Sequence, residues 1–229
     1  LAACTQESGG DTDTVTTESD LSLQGGESFA AYGTGTQKRF IEVSAESSAD
    51  SKWGFTLTSQ SGVVCTFFFT SSGLVLSEEG SETLLRTYTA GSGGQTYALA
   101  ADGGMVYVFL NDQLLYPYEN EACAAASLGI VNGGSGAVSF SSVRYSGAER
   151  YADEIIAQAG EASLSVQGEG VSASQFGKAV AADAKIYPEN EVTVSVQVPQ
   201  DRILAEISLT NGGRKVNLTE ISETEWSFL

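Results

Sequence analysis

The sequence predicts an all-β protein, and three observations support this fold class. In short segments, residues expected on opposite faces of a strand alternate with a period of two. Val106, Val108 and Leu110 fall on one face, and Tyr107 and Phe109 fall on the other. The chain holds 26 glycines among 229 residues, and many of them lie between such segments, where turns are expected. The segments are short and closely spaced, which is typical of an antiparallel β-sandwich.

The chain opens with Leu1-Ala2-Ala3-Cys4, followed by a run rich in Gly, Asp, Thr, Ser and Glu. These four residues resemble a bacterial lipobox, which implies acylation of Cys4, a membrane anchor and an extracytoplasmic location. We expect residues 1–25 to be the lipobox remnant and a disordered acidic tether. The alternative is a chance tetrapeptide at a truncated start.

Residues 26–147 are predicted to form the main β-sandwich. Trp53, Phe55 and Leu57 alternate with smaller residues, and the run 63–69 is apolar on both faces, as expected of a central strand. Segments 37–46, 74–76 and 84–88 complete the upstream strands, the last two separated by an acidic turn. Together with the downstream segments they make about ten strands, enough for two facing sheets.

The stretch 95–145 carries a family resemblance. It contains Tyr-x-Leu, Val-x-Val-x-Leu-Asn-Asp, Leu-Gly-Ile, Gly-Gly and Val-x-Phe-x-x-Val-Arg in this order. The order resembles the closing strands of concanavalin A-like (laminin-G-like) jelly rolls. The resemblance implies a jelly-roll sandwich that binds glycans.

Aromatic and polar side chains near these strands are the candidate ligand residues. A sugar stacks its C–H face on an aromatic ring, and amides or carboxylates bind its hydroxyls. The candidates are Tyr107, Phe109, Asn111, Asp112, Tyr116 and Tyr118, with Tyr116 and Tyr118 expected in a loop and Asn132 as a further polar contact. The alternative is that Tyr107 and Phe109 face the core with the valines outside, or that both faces are covered.

The sequence restricts the chemistry that this chain can perform. It contains no histidine, which excludes Ser-His-Asp and Cys-His nucleophile pairs and His-ligated zinc. The paired acids that jelly-roll glycosidases carry on one strand are missing, and Glu78, Glu79, Glu82, Glu119 and Glu121 are expected in turns and loops as solvated charges. We therefore predict a non-catalytic protein without a cofactor.

The sequence contains two further candidate sites. Asp102, Asn111 and Asp112 are candidate calcium ligands, although they lack the spacing of a dedicated calcium loop. If Cys4 is acylated, Cys65 and Cys123 remain as candidates for a disulfide, with a buried free thiol at Cys65 as the alternative.

The last part of the chain is predicted to form a second, smaller β domain. Residues 148–161 hold good helix formers and are expected to be a short helical linker. Within 162–229, the order Val-Thr-Val-Ser-Val-Gln-Val-Pro, Leu-Ala-Glu-Ile-Ser-Leu-Thr-Asn-Gly-Gly, Glu-Trp-Ser-Phe resembles a divergent internalin-type B-repeat. The resemblance implies a β-grasp or Ig-like repeat domain, which we expect to be truncated.

These patterns favour a fragment of a bacterial cell-surface lipoprotein with a carbohydrate-binding or adhesion role. The partners would be a glycan or cell-surface polysaccharide and the membrane that holds the lipid anchor. The net charge of −18 disfavours nucleic acid. Two alternatives stay open: a structural stalk for a catalytic domain beyond this sequence, and a glycan-processing hydrolase whose acids come from different strands.

Overall fold

The computed structural model describes residues 14–33, 37–46, 51–89, 93–166, 168–181, 183–198, 209–211 and 214–229. The chain divides into two compact units, Leu1–Gln158 and Ala159–Leu229. Within the described ranges, β-strands account for nearly all regular structure, accompanied by one α-helix and one short 3-10 helix. The predicted all-β fold class is confirmed.

The first unit is built from twelve strands and the two helical segments. The elements are β1 (Thr16–Leu23), β2 (Ser28–Tyr32), β3 (Lys38–Glu46), β4 (Trp53–Ser59), β5 (Gly62–Thr70), β6 (Gly73–Glu78), β7 (Ser81–Arg86), β8 (Gly94–Asp102), β9 (Met105–Leu110), β10 (Gln113–Glu119), the 3-10 helix Glu121–Cys123, β11 (Ser127–Asn132), β12 (Val138–Ser146) and α1 (Glu149–Ala157).

The twelve strands form two six-stranded antiparallel sheets that pack face to face. Sheet A has the order β1-β12-β3-β8-β9-β10, and sheet B has the order β2-β11-β4-β5-β6-β7. The chain passes repeatedly from one sheet to the other, so strands that are neighbours in a sheet are often distant in sequence. This arrangement is the two-layered sandwich that the alternating pattern predicts.

Aromatic side chains from both sheets fill the space between them. Trp53 of sheet B lies with its ring centroid 4.8 Å from that of Tyr97 and 4.9 Å from that of Phe140, both in sheet A. Phe69 approaches Tyr97 to 4.6 Å. Each contact is edge-to-face, the arrangement that ring quadrupoles favour, and full burial of each such side chain contributes about 2–3 kcal/mol.

Helix α1 covers part of the outer face of sheet A. Ala152 and Ile155, three positions apart on one side of the helix, are buried. Tyr151 lies with its ring centroid 6.2 Å from that of Phe40, and the Lys38 ammonium lies 2.7 Å from the Asp153 carboxylate. The helix therefore belongs to the first unit, and the prediction of a helical linker over residues 148–161 is wrong in this respect. Among the described residues, no helix has the length and apolar character needed to span a membrane.

Strand β1 corrects the predicted tether. Residues 16–23 pair with β12, Leu21 opposite Phe140 and Leu23 opposite Val138, and Leu23 is buried. Most side chains of β1 are exposed polar groups because the strand lies at an edge of sheet A, so the pairing comes chiefly from the backbone. Cys4 and the rest of the predicted tether up to residue 13 lie outside the described residues.

The second unit consists of short strands throughout its described part. They are β13 (Ala162–Leu164), β14 (Val171–Gln175), β15 (Lys178–Val180), β16 (Ala184–Ile186), β17 (Val192–Val196), β18 (Leu209–Asn211), β19 (Arg214–Val216), β20 (Thr219–Ser222) and β21 (Glu225–Phe228). A five-stranded sheet has the order β15-β14-β17-β21-β20, and β13-β16 and β18-β19 form separate pairs. Leu164, Ala173, Ile186 and Val192 make its small core.

Candidate ligand-binding face

The predicted aromatic platform of β9, Tyr107 and Phe109, lies on the outer side of sheet A. Val106 and Val108 face the sandwich core and are fully buried. Phe109 points to the opposite side, next to Ala98 of β8, and is nevertheless only 1% exposed, while Tyr107 is half-buried. Both sides of β9 are thus largely covered, which was one of the alternatives open at the sequence level.

Tyr116 and Tyr118 lie in β10 rather than in the predicted loop. A β-bulge between Leu114 and Tyr116 shifts the alternation, and both tyrosines are buried. The Tyr118 hydroxyl donates a 2.6 Å hydrogen bond to Glu78 Oε1, and burial together with this carboxylate raises the pKa of Tyr118. Burial also raises the pKa of Tyr116. Both side chains stabilise the fold, so the predicted set does not form one surface.

The polar residues predicted to bind ligand or calcium are used within the fold. Asn111 and Asp112 form the β9–β10 turn in the left-handed region, and Asn111 Oδ1 accepts a 3.0 Å hydrogen bond from Thr96 N. Asp102 lies beyond the other end of β9, 3.6 Å from the Lys38 ammonium. A six-residue strand spans roughly 20 Å, so these carboxylates and amides do not converge on one ion. No cluster of three or more acidic, Cys or His side chains suited to a metal occurs among the described residues.

Asn132 is likewise structural. Its amide nitrogen donates to Leu23 O at 2.9 Å and to Gly136 O at 2.7 Å, and its Oδ1 accepts from Gly134 N at 3.0 Å. The side chain is fully buried. It holds the turn between β11 and β12 against the end of β1.

The outer face of sheet B carries a row of apolar side chains. The row runs across the strands through directly opposed positions, namely Val131, Gly54, Phe68, Val75 and Leu84. Gly54 contributes only its backbone to this row. Phe68 and Val75 are half-buried, and Leu84 is 51% exposed. Apolar side chains on the outer side of a sheet need an explanation beyond core packing.

A second row, of hydroxyl and carboxyl groups, runs beside the first. Its members are two residues away along each strand, namely Gly129, Thr56, Thr66, Ser77 and Glu82. The Thr66 hydroxyl donates to Thr56 Oγ1 at 3.2 Å. Because residues two apart share a face and lie roughly 7 Å from each other, an apolar and a polar strip lie side by side. We call these two rows together the open face.

Phe68 is the aromatic ring of this face, and the residues around it fix its position. Gly54 lies directly opposite Phe68 in β4, and a Cβ at position 54 would collide with the Phe67 carbonyl oxygen of the adjacent strand. The ring extends to Gly133, where an added Cβ would lie 2.7 Å from Phe68 Cε1. The Lys52 ammonium lies 4.7 Å from the ring centroid and 2.5 Å from Glu82 Oε1.

Phe68 was not among the residues predicted from the sequence to bind ligand. The apolar run 63–69 indicated a strand covered on both sides, whereas the structure places Phe67 and Phe69 in the core and Phe68 on the open face. The available signal was the strand 53–58, in which Gly54, Thr56 and Thr58 alternate with large apolar residues. A strand with that outward pattern predicts that its neighbour's outward side chain is also uncovered.

The carboxylates near this face do not converge. Glu82 lies in the polar row and pairs with Lys52, whereas Glu78 is bonded on the inner side to Tyr118 and, at 2.9 Å, to Asn120 Nδ2. Two carboxyl groups flanking a substrate are the requirement of most glycosidases. The pair Glu78 and Glu82 does not meet that requirement.

A shallow cleft of about 350 Å³ lies between the end of β7 and the β9–β10 turn. Its polar lining includes Arg86, Asn111 and Gln113. The Arg86 guanidinium donates to the carbonyls of Leu114 and Leu115 at 3.0 and 3.2 Å, which ties the edge of sheet B to that of sheet A. The cleft therefore lies where the edges of the two sheets are joined, and Arg86 is used to join them.

The two cysteines in the described part of the first unit, Cys65 and Cys123, face one another. Cys65 of β5 and Cys123 of the 3-10 helix are fully buried, and their Sγ atoms lie 3.8 Å apart. The hydrogen bond from Cys65 and the nearby Arg39 guanidinium lower the pKa of Cys123, against the effect of burial. The same hydrogen bond and burial raise the pKa of Cys65.

Comparisons with known proteins give structural likeness only. No protein-family model and no curated protein matches the chain. The solved structure of the Caenorhabditis elegans galectin LEC-6 is similar, with 21% identity, a TM-score of 0.44, and coverage of 57% of this chain and 95% of that one. A CBM40 of Ruminococcus gnavus IT-sialidase bound to alpha2,3 sialyllactose has 12% identity and a TM-score of 0.42, covering 62% and 96%.

A fructosyltransferase from A. japonicus is also similar, with 16% identity and a TM-score of 0.45. The match covers 58% of this chain but only 26% of the enzyme. None of these similarities assigns a ligand to this chain.

Proposed function

We propose that the first unit is a non-catalytic carbohydrate-binding module and that the open face of sheet B is its ligand surface. The observation that carries this proposal is the pair of adjacent rows, one apolar with Phe68 at its centre and one of hydroxyls ending at Glu82. Sheet A is less suitable, because α1 covers part of its outer side and Phe109 is buried there.

The two rows match the chemistry of a sugar ring. A pyranose presents C–H groups on one side and hydroxyls around its rim, so it can rest on Phe68 and Val75 while its hydroxyls meet Thr56 and Ser77. Lys52 and Glu82 supply charged hydrogen-bonding groups at the border of this surface. An open sheet surface suits a polysaccharide chain, because it leaves both ends of a bound segment free.

Binding without turnover is part of the proposal. Glu82, the carboxylate of the polar row, is paired with Lys52, and its neighbour Glu78 is bonded on the other side of the sheet. A hydrolase would need a second carboxyl group across the bound sugar. Incubation of the protein with the glycan it binds should leave that glycan unchanged by mass spectrometry, and released product would contradict this part.

The test is a glycan-array and polysaccharide pull-down with the complete chain, comparing wild type with Phe68→Ala. Loss of the ring should weaken binding roughly 10- to 100-fold, since an aromatic contact of this size is worth about 1.5–3 kcal/mol. Tyr107→Ala is the matched control, a half-buried ring on the other sheet, and it should bind as wild type does. Equal weakening by both substitutions would contradict the assignment of the face.

Failure of the wild type to bind any glycan would favour the alternative, a structural stalk. In that case Phe68→Ala should change the free energy of unfolding by no more than about 1 kcal/mol, because the ring is only half-buried. Circular dichroism and thermal melting of both variants separate loss of the surface from loss of the fold.

We further propose that the chain is held at a bacterial membrane by acylation of Cys4, with the second unit as an internalin-type repeat acting as spacer or adhesive element. The support is the Leu1-Ala2-Ala3-Cys4 sequence and the β-rich second unit. Expression behind a lipoprotein signal peptide should give detergent-phase partitioning and a lipid mass on the N-terminal peptide. Cys4→Ser should abolish both, and an unlipidated wild-type peptide would refute the anchor.

A further inference from the structure

The connection from β10 to β11 packs against β5, and each of these two segments carries a cysteine at the contact. Cys65 sits in β5, which is paired on both sides with β4 and β6. Cys123 ends the short helix on the connection that leads from sheet A to sheet B. The two residues are 58 positions apart in the chain, yet their Sγ atoms lie 3.8 Å apart.

Both thiols are held in place by rigid surroundings. The helix that carries Cys123 is capped by Asn120, whose Oδ1 accepts from Ala122 N at 2.9 Å. The Arg39 guanidinium donates to the carbonyl of Cys123 and, at 3.1 Å, to that of Ala124. Arg39 is fully buried, so this clamp is shielded from water.

We propose that Cys65 and Cys123 form a disulfide that links the connection between the two sheets to β5, a central strand of sheet B. The Sγ atoms must approach by roughly 2 Å to reach bonding distance, which small side-chain rotations provide. The bond closes a long loop in the unfolded chain, and such loops gain the most from cross-linking.

The bond forms at the expense of an external disulfide, of the kind carried by thiol-disulfide oxidoreductases or oxidised glutathione. The external disulfide first exchanges with Cys65, giving a mixed disulfide and releasing one thiol. The Cys123 thiolate then attacks the Cys65 sulfur, and the second external thiol leaves, so two protein thiols are oxidised and one external disulfide is reduced to two thiols.

Because both sulfur atoms are fully buried, exchange requires opening of the sandwich. The bond is therefore expected to form during folding and afterwards to resist reduction. In the native protein we expect dithiothreitol to reduce it at least about 100-fold more slowly than in guanidinium chloride, since reduction must wait for opening. This behaviour distinguishes a structural disulfide from an exposed, redox-active one.

The direct test uses the complete chain with Cys4→Ser, made in an oxidising bacterial periplasm. The protein is denatured with a maleimide present but no reductant, and its intact mass is measured. We expect no maleimide adduct and a mass about 2 Da below that of the dithiol, followed by two adducts after reduction. Two adducts before reduction, or a mixed disulfide with a small thiol, would overturn the proposal.

A stability comparison gives a second, independent outcome. Cys65→Ala should lower the melting temperature of the oxidised protein on the order of 10 °C, and Cys123→Ala in the same protein should add little. In fully reduced protein each substitution should lower the melting temperature much less, because no cross-link is lost. Equal losses in the oxidised and the reduced protein would show that the thiols only pack against each other.

Discussion

At the residue scale, the charge of Arg39 is buried inside the sandwich and is hydrogen-bonded to backbone carbonyls through both of its terminal nitrogens. Its guanidinium donates to the carbonyls of Gln37 and Ala124 at 3.1 Å each, and also to that of Cys123. Burial lowers the pKa of Arg39, yet an arginine stays charged throughout the accessible pH range. The side chain therefore acts as a permanent donor inside the sandwich.

We predict that Arg39→Met destabilises the first unit by about 2–4 kcal/mol, because buried carbonyls lose their donors. Urea unfolding followed by tryptophan fluorescence measures the change. Lys38→Met is the adjacent control: Lys38 pairs with Asp153 and Asp102 at the surface, and it should cost at most about 1 kcal/mol. Similar losses for the two substitutions would show that the buried clamp has no special role.

Tyr118 gives a prediction for alkaline pH. Its folded-state pKa is raised by burial and by Glu78, so its stabilising contribution is complete below the unfolded pKa of about 10 and is lost as pH rises through the folded value. Tyr118→Phe should cost about 1 kcal/mol near neutral pH through the lost hydrogen bond. Above about pH 10 it should lose less stability than wild type. Parallel stability-pH curves for the two proteins would contradict this assignment.

Residue-level expectations from the sequence succeeded where the alternation was regular. Trp53, Phe55 and Leu57 were expected on one side of their strand, and all three are in the core. Tyr116 and Tyr118 were misplaced because a bulge inserts an extra residue, which no period of two can show. The sequence also did not predict that the candidate ligand surface lies around Phe68 on sheet B. Which of the two sheets a helix covers depends on tertiary contacts, which a local pattern does not show.

At the scale of elements, α1 decides which side of the sandwich is available. It packs against the outer face of sheet A through Ala152 and Ile155. Its composition predicted the helix itself, but not the surface to which it attaches. Strand β1 shows the reverse case: its polar composition suggested a tether, whereas backbone pairing to β12 makes it an edge strand.

We predict that Ala152→Arg destabilises the first unit by about 3 kcal/mol or more, because a long charged side chain would be forced under the helix. Glu154→Arg, on the exposed side of α1, should change stability by less than about 0.5 kcal/mol. Chemical denaturation of both variants checks the difference. Equal stabilities would mean that α1 does not pack on the sheet in solution.

At the scale of the whole molecule, the chain is organised as two units with separate cores. The first core is formed by two six-stranded sheets, and the second is a much smaller cluster around Leu164 and Val192. The break in the β pattern near residue 150 predicted a boundary over residues 148–161, and α1 within that range belongs to the first unit.

We predict two calorimetric transitions, each sensitive to its own core. Leu57→Ala, fully buried in sheet B, should lower only the transition of the first unit, by an amount corresponding to about 3 kcal/mol. Leu164→Ala should lower only that of the second unit. A single transition that moves with both substitutions would show that the units unfold together.

Gly54, the partner of Phe68 on the neighbouring strand, also limits how the open face can diversify. Any side chain at position 54 would strike the main chain of β5, so Gly54 cannot be replaced without disturbing the sheet. Thr56, Val75 and Ser77 have no such restriction, because their side chains already point outward from strands that tolerate them. In a lineage of such proteins, ligand preference would evolve at these flanking positions, while Gly54 stayed constant.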